Sequence, residues 1–335
     1  MKKTILVTAI SLTFINTASA EEPFSSGIND FSNIHNQCIV RLFDDTSKAN
    51  IYGLAQSFAN RNNTTLKHVY IHSIKGFTIN MSCAAAEKSF GKDANIMSFT
   101  PDSIVSISKG KPGGGGGGTV GQQVSYGTAR VGGPVDGTGH TAWVIDTGVD
   151  LDHPDLNVDA SRGFTAIRNS MDDENGHGTH VSGTIGALDN SIGSLGVAPG
   201  TTIIPVRVLN RRGSGTNSGV IAGVDYVGAN AMPGDCVNMS LGGGVSAALD
   251  SAVSAAASAS GAFFVLAAGN DGDDANNHSP ARVNSTNVWT ISAVDINDDM
   301  PSWSNFGAGV DFAAPGVSIF SLWKKGGTNT ISGTS

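Results

Sequence analysis

The sequence predicts an α/β protein: a parallel β-sheet with helices on both faces, preceded by a small α+β unit. Three observations carry this reading. Apolar, β-rich runs at 141–149, 202–209, 236–241, 262–268 and 288–294 alternate with helical stretches at 177–188, 218–229 and 247–260. These runs are continuously apolar, as strands covered on both faces are. A tract at 110–118, Gly-Lys-Pro followed by six glycines, separates them from an earlier stretch with its own strand and helix signals.

Within that earlier stretch, 37–43 reads as a strand, 47–61 as a helix, 66–73 and 76–80 as strands, 82–90 as a helix and 104–107 as a closing strand. The β-α-β-β-α-β order is the ferredoxin-like pattern. The glycine tract reads as a flexible linker. It is not a phosphate-cradling loop, because no Gly-Lys-Ser/Thr follows and no strand leads into it. At the start, Lys2-Lys3, an apolar run over 5–15 and Ala18-Ser19-Ala20 form a secretory signal peptide spanning 1–20. Its apolar run is too short for a bilayer-spanning helix, and no later segment is long enough. The expected product is secreted (extracellular) and free of the membrane once the signal is cut.

Charge narrows the function classes. Residues 119–335 hold nine Lys/Arg against twenty Asp/Glu, so nucleic acid is excluded as a partner. Three cysteines occur. Cys38 and Cys83 lie where an oxidising compartment would let them pair. Cys236, beside Val237, Met239 and Leu241, is expected to be a small core residue of a buried strand.

Four stretches bear chemistry. Asp146-Thr147-Gly148 ends the first parallel strand, which sets a carboxylate at a carboxyl edge, where sites of open α/β sheets lie. Alone it reads as a turn Asp. An aspartic protease would need a second Asp-Thr/Ser-Gly, which is absent. His177 and His180 open a helix in Gly176-His177-Gly178-Thr179-His180. Their spacing would suit a metal, but the Glu of the zinc-hydrolase motif is missing. His177, among glycines, is free to reach another segment, and His180 is expected to be a packed supporting residue. Ala268-Gly269-Asn270-Asp271-Gly272 reads either as a turn or as an amide donor aimed at an oxyanion. The chain finishes Ser332-Gly333-Thr334-Ser335.

Taken together, these stretches resemble the subtilase family, whose prototype shows the same Asp, His, Ser order along the chain. The resemblance implies a subtilisin-like fold and a secreted serine endopeptidase. It implies that Asp146 orients the imidazole, His177 is the general base and Ser335 attacks the scissile carbonyl. Asn270 and the Ser335 amide then form the oxyanion hole. Gly213-Ser214-Gly215 and Ser240-Leu241-Gly242 resemble the two family strands that pair with an extended peptide substrate. Ala268 and Gly269 face them across a pocket with room for a sizeable apolar side chain. The spacing from Asn270 to Ser335, with Ser279-Pro280-Ala281 and Ser304-Asn305-Phe306-Gly307, looks most like the proteinase K branch. That branch implies no cofactor for catalysis and a structural calcium at Asp311, with carbonyls near Thr286 and Val288.

The first unit resembles the family's inhibitory propeptide. The expected organisation is therefore a signal peptide (1–20), a propeptide (21–109), the linker (110–118) and a catalytic domain from 119. The mature chain is expected to begin near Thr119–Gln122. Partners are protein or peptide substrates and the chain's own propeptide as an intramolecular inhibitor. In the family a long helix begins at the nucleophile. The domain 119–335 is thus expected to be C-terminally incomplete, and this stretch alone to be inactive. The alternative is a catalytically inactive subtilase-like binding protein.

Overall fold

A computed structural model describes residues 31–107, 121–167 and 170–335. The expected signal peptide, the glycine linker and the first residues after it lie outside the described residues.

The N-terminal unit comprises β1 (Cys38–Leu42), α1 (Lys48–Arg61), β2 (Leu66–Tyr70), β3 (Gly76–Ile79), α2 (Cys83–Phe90) and β4 (Ile96–Pro101). Its antiparallel sheet has the order β2-β3-β1-β4, the ferredoxin-like arrangement. Ser82 caps α2 by accepting the Ala85 amide. Phe58, Phe77 and Phe90 fill the core between the helices and the sheet. Cys38 and Cys83 are joined by a disulfide that ties β1 to the start of α2.

The pattern is right, but its last strand is not the expected one. Residues 96–101 close the sheet, whereas β5 (Ile104–Ile107) leaves it altogether. The 96–101 run mixes Met, Ser, Thr and Pro, so its strand signal is weak in sequence; pairing with β1 makes it a strand.

The second unit is wound around parallel strands β6 (Thr141–Asp146), β7 (Thr202–Arg207), β9 (Cys236–Met239), β11 (Phe263–Ala267), β13 (Val288–Val294) and β14 (Phe312–Pro315); β8 (Ser214–Thr216), β10 (Leu241–Gly244) and β12 (His278–Ser279) belong to a separate sheet. The spatial order is β14-β13-β11-β9-β6-β7, continued by the pair 157–158. Strand order reverses at β6, so its carboxyl end opens on a crevice. Alternation along β6 divides the core. Trp143 and Ile145 face α4 (Asn217–Asn230) and α5 (Ala247–Ser260), while Ala142 and Val144 face α3 (His177–Gly186). A hairpin, β15 (Ile319–Trp323) and β16 (Gly327–Ile331), covers α3 from outside.

The two units share one apolar core. Ile39, Tyr70, Ile74 and Val105 of the first pack with Val220, Val224, Val253 and Ala256 of α4 and α5. Cys236 departs from expectation: it is exposed, because β9 begins at the sheet's edge of entry, before the strand is covered.

Candidate active site

The carboxyl end of β6 delivers Asp146, which is fully buried. Its main-chain carbonyl accepts the Val208 and Leu209 amides, and its Oδ1 accepts the Thr147 amide at 2.6 Å. The start of α3 delivers His177, also buried. The helix can approach so closely because residue 178 is glycine. A Cβ there would stand 2.1 Å from the Gly148 carbonyl oxygen. His177 Nδ1 lies 2.9 Å from both Asp146 Oδ1 and Oδ2. That contact fixes Nδ1 as the protonated nitrogen and leaves Nε2 as the free base. His177 Nε2 is buried and makes no hydrogen bond among the described residues. Burial alone would lower the imidazole pKa. The charge and hydrogen bond of Asp146, with the charge of Asp173, outweigh it and hold the pKa above the ordinary histidine value.

His180 is one turn further along α3, buried, with its Nε2 on the Ile319 carbonyl at 3.0 Å. Its burial, and then the neighbouring His177, lower its pKa to about 3. A neutral imidazole committed to a carbonyl is a poor metal ligand. Among the described residues no three His, Cys, Asp or Glu side chains are grouped to hold a metal. The paired-histidine metal reading has no support in this geometry.

Asn270 follows β11. Its Oδ1 accepts the Thr334 amide and the Thr334 hydroxyl, each at 3.0 Å. Thr334 Oγ1 in turn accepts the Gly269 amide at 3.0 Å. With the oxygen locked, Nδ2 is left buried and without a partner among the described residues, a donor open to an acceptor. Asn305, fully buried, braces this turn: Nδ2 donates to the Ala268 carbonyl, and Oδ1 accepts the Asp271 and Asp273 amides.

Ser335 is thereby placed one residue from the Asn270 contact, and its side chain is exposed. It makes no hydrogen bond to His177 Nε2. Ser335 and Thr334 border a cavity of about 330 Å³ that Ser240 and Ala267 also line. His177 and Asn270 are not part of that lining.

The two substrate-binding segments predicted from sequence come together around a single strand. Ser214 and Gly215 lie in β8 (Ser214–Thr216), and Leu241 and Gly242 in β10 (Leu241–Gly244). Between them runs β5 of the N-terminal unit, antiparallel to both. Ser106 faces Ser214 on one side and Gly242 on the other. Gly213, just outside β8, accepts the Ile107 amide on its carbonyl at 2.8 Å. The fit is tight, since a Cβ on Gly243 would come within 2.8 Å of the Ile104 carbonyl oxygen. Ser240 is buried at the turn between β9 and β10, where Asn238 Nδ2 donates to its Oγ.

Asp311 sits before β14. Its Oδ2 accepts the Thr290 amide at 2.8 Å, and among the described residues no three His, Cys, Asp or Glu side chains are grouped to hold a metal. Calcium takes six to eight oxygens, often with more than one carboxylate. Asp311 brings one carboxylate, with one oxygen already accepting a main-chain amide, and no role is built on it.

Sequence reasoning missed three supports. Asp173 gathers the start of α3, Asn305 braces the Asn270 turn, and Thr334 locks the Asn270 oxygen. Asn305 and Thr334 stand in strings that carry the family resemblance, but their supporting roles were not read from them; Asp173 left only the trace of an acid just ahead of a helix start.

Residues 137–335 match the family model described as "Subtilase family". The chain is 53 % identical over 203 residues to "Alkaline serine exoprotease A" of Vibrio alginolyticus, covering 60 % of this chain and 36 % of that one. It is 44 % identical over 205 residues to "Proteinase T" of Parengyodontium album, covering 59 % of this chain and 67 % of the relative. A solved "cold adapted subtilisin-like serine proteinase" superposes with a TM-score of 0.55 at 49 % identity, covering 59 % of this chain and 71 % of that one. The chain spans between 36 % and 49 % of the length of the first four curated relatives it matches.

Proposed function

This chain belongs to the subtilase family, and on that premise we propose that it is the precursor of a secreted serine endopeptidase, held inactive by its own N-terminal unit. The observation that carries the proposal is the buried Asp146–His177 pair, with Nδ1 on the carboxylate and Nε2 free.

In this reading Ser335 Oγ attacks the carbonyl carbon of the scissile peptide while His177 Nε2 takes its proton. Asp146 holds the ring in place and stabilises the imidazolium without becoming protonated. The tetrahedral oxyanion takes hydrogen bonds from Asn270 Nδ2 and the Ser335 amide. Collapse breaks the C–N bond, and His177 returns the proton to the leaving amine. Water then repeats the sequence on the acyl-enzyme and frees Ser335.

Support for the inhibited state comes from β5, which lies where the two substrate-pairing segments resemble those of the family. An extended peptide added between two strand edges is held mainly by main-chain hydrogen bonds. While β5 is there, a substrate cannot be. Gly213, Ser214, Gly215, Leu241 and Gly242 then serve as the main-chain rails of the cleft, with Ser240, Ala268 and Gly269 beside the scissile bond. The family's secreted members and the signal-like residues 1–20 support export. Among the described residues no helix is long and apolar enough to cross a membrane.

The test is made on the natural protein carrying this sequence. It should hydrolyse a denatured protein substrate and take a fluorophosphonate label on Ser335. Ser335→Ala should abolish both. Hydrolysis that survives this substitution, or that a zinc chelator stops while the fluorophosphonate does not, would sink the proposal.

A further inference from the structure

We infer that Asp173 is a positioning residue for the reaction: its buried carboxylate clasps the strand end that carries Asp146 to the helix start that carries His177. The inference rests on the catalytic reading of Asp146, His177 and Ser335 given above.

Asp173 is 5 % exposed, and its carboxylate accepts five hydrogen bonds. Oδ1 accepts the Thr147 hydroxyl at 2.9 Å, the Asn175 amide at 2.9 Å and the Gly176 amide at 2.8 Å. Oδ2 accepts the Thr179 amide at 3.0 Å and the Thr179 hydroxyl at 2.7 Å. The amides of 176 and 179 bracket His177. They belong to the helix start, whose donors lack partners within the helix. The cap residue itself is Gly176, which has no side chain to serve them. Asp173 therefore caps α3 from outside.

The two hydroxyls extend the clasp. Thr147, next to Asp146, donates to Asp173 and accepts the Gly178 amide at 3.0 Å. Thr179 donates to Asp173 and accepts the Asp150 amide at 3.0 Å. Each hydroxyl thus has a fixed direction, set by an acceptor that cannot donate. One carboxylate orients two hydroxyls, and these tie the segment 146–150 to the first turn of α3. Arg207, the β7 partner of Asp146, holds the loop from behind through the Asp172 carbonyl at 2.7 Å and the Glu174 carboxylate. A small tilt of α3 would misdirect Nε2, and displacements of about 1 Å can cost about 100-fold in rate.

Asp173 also acts through its charge. The titratable and charged groups on the elements around the imidazole are Asp146 and Asp150 from the β6 side, His180 on α3 and Arg207 from β7. Further out lie Asp172 and Glu174 in the preceding loop, Asp152 and His153 after Asp150, and Lys324 of the outer hairpin, bonded to the Glu174 carbonyl. Asp146 contributes most to raising the imidazole against burial, and Asp173 adds to it.

The experiment uses the matured natural enzyme and corrects every rate to active sites titrated with a fluorophosphonate. Asp173→Asn should lower kcat about tenfold or more, with KM within about twofold. It should move the acid limb of the kcat/KM profile to lower pH by at least ~0.5 unit. A merely structural role would reduce the titratable fraction and leave that limb in place. Thr147→Val keeps the charge, so it should lower kcat while leaving the acid limb unmoved, and Thr147→Ser should restore the rate. Parental kcat per titrated site in either Asp173→Asn or Thr147→Val overturns the inference, as does an unmoved acid limb in Asp173→Asn. A parent that takes no label overturns the catalytic reading and this inference together. A labelled parent with unaffected variants overturns this inference alone.

Discussion

Asn270 divides its amide between two tasks. The oxygen is fixed by Thr334, and the nitrogen is left free and buried. Replacing it by alanine removes the donor and strands two Thr334 hydrogens. We predict that Asn270→Ala lowers kcat by about 10²–10³ with little change in KM, the size of effect measured for the corresponding oxyanion-hole asparagine of subtilisin. Thr334→Val leaves the amide in place but loosens its oxygen, so it should fall between that variant and the parent. Steady-state kinetics on one short peptide substrate decide it; an Asn270→Ala enzyme within threefold of the parent rules out the donor role. At this scale the sequence was informative wherever function fixes a motif. Asp146, His177, Asn270 and Ser335 were picked out because their four strings, each ordinary alone, occur together and in the family's order. The supporting roles of Asp173, Asn305 and Thr334 were not, since these lie in contacts up to 65 residues apart in the chain, and one sequence does not display them.

At the scale of elements, helix α4 is the joint between the two units. The N-terminal unit supplies Asp102 to its start, where the Ser218 amide and hydroxyl donate to the carboxylate. This places a negative group at a helix N-terminus. Two turns on, Asp225 of the helix answers by accepting the Ile71, His72 and Ser73 amides and the Ser73 hydroxyl. Hydrogen bonds to a charged acceptor are worth about 1.5–3 kcal/mol each, and buried donors left without one add to the loss. Asp225→Ala should therefore raise the inhibition constant of the N-terminal unit, added to the mature enzyme, by at least ~10-fold. kcat/KM on short peptides should stay within about twofold, because Asp225 lies outside the cleft strands. An unchanged inhibition constant would show that β5 alone holds the unit. The element scale also shows where sequence reading fails. The long apolar strands and helices were found to within a few residues, but 104–107 was assigned to the wrong sheet. A four-residue strand carries no label for its partner; that is decided by which edge is open, here the gap between β8 and β10.

For the molecule as a whole, we predict that two buried histidines, His68 and His180, make stability fall as the pH drops below neutral. His180 is lowered to about 3 by burial and then by His177, and His68 to about 3 by burial and then by Lys67. Both are thus neutral in the folded protein at pH values where an unfolded histidine, near 6.5, takes a proton. A group whose folded pKa is depressed contributes stability above its unfolded pKa and loses it as pH falls towards the folded value. The window here runs from about 6.5 down to about 3. His177, with its raised pKa, opposes them near pH 6.5, where the unfolded imidazole is only half protonated, and drops out about one unit lower, where it is protonated in both states. Burial pushes Asp102, Asp155 and Asp250 upward, which opposes the histidines in the carboxylate range. The clearest effect therefore lies at pH ~5–6.5. Unfolding of the precursor should take up protons there in a number that grows as pH falls and approaches about two near pH 5.5, each worth about 1.4 kcal/mol per pH unit. Removing the N-terminal unit takes His68 away and should bring the uptake close to one. His180→Gln in the mature enzyme should then nearly abolish it, since an amide can serve the Ile319 carbonyl without titrating. Thermal midpoints measured from pH 7 to 5 at fixed ionic strength test this. A midpoint that stays level in the precursor, or a slope unchanged by His180→Gln, would mean that the acid sensitivity lies in other groups.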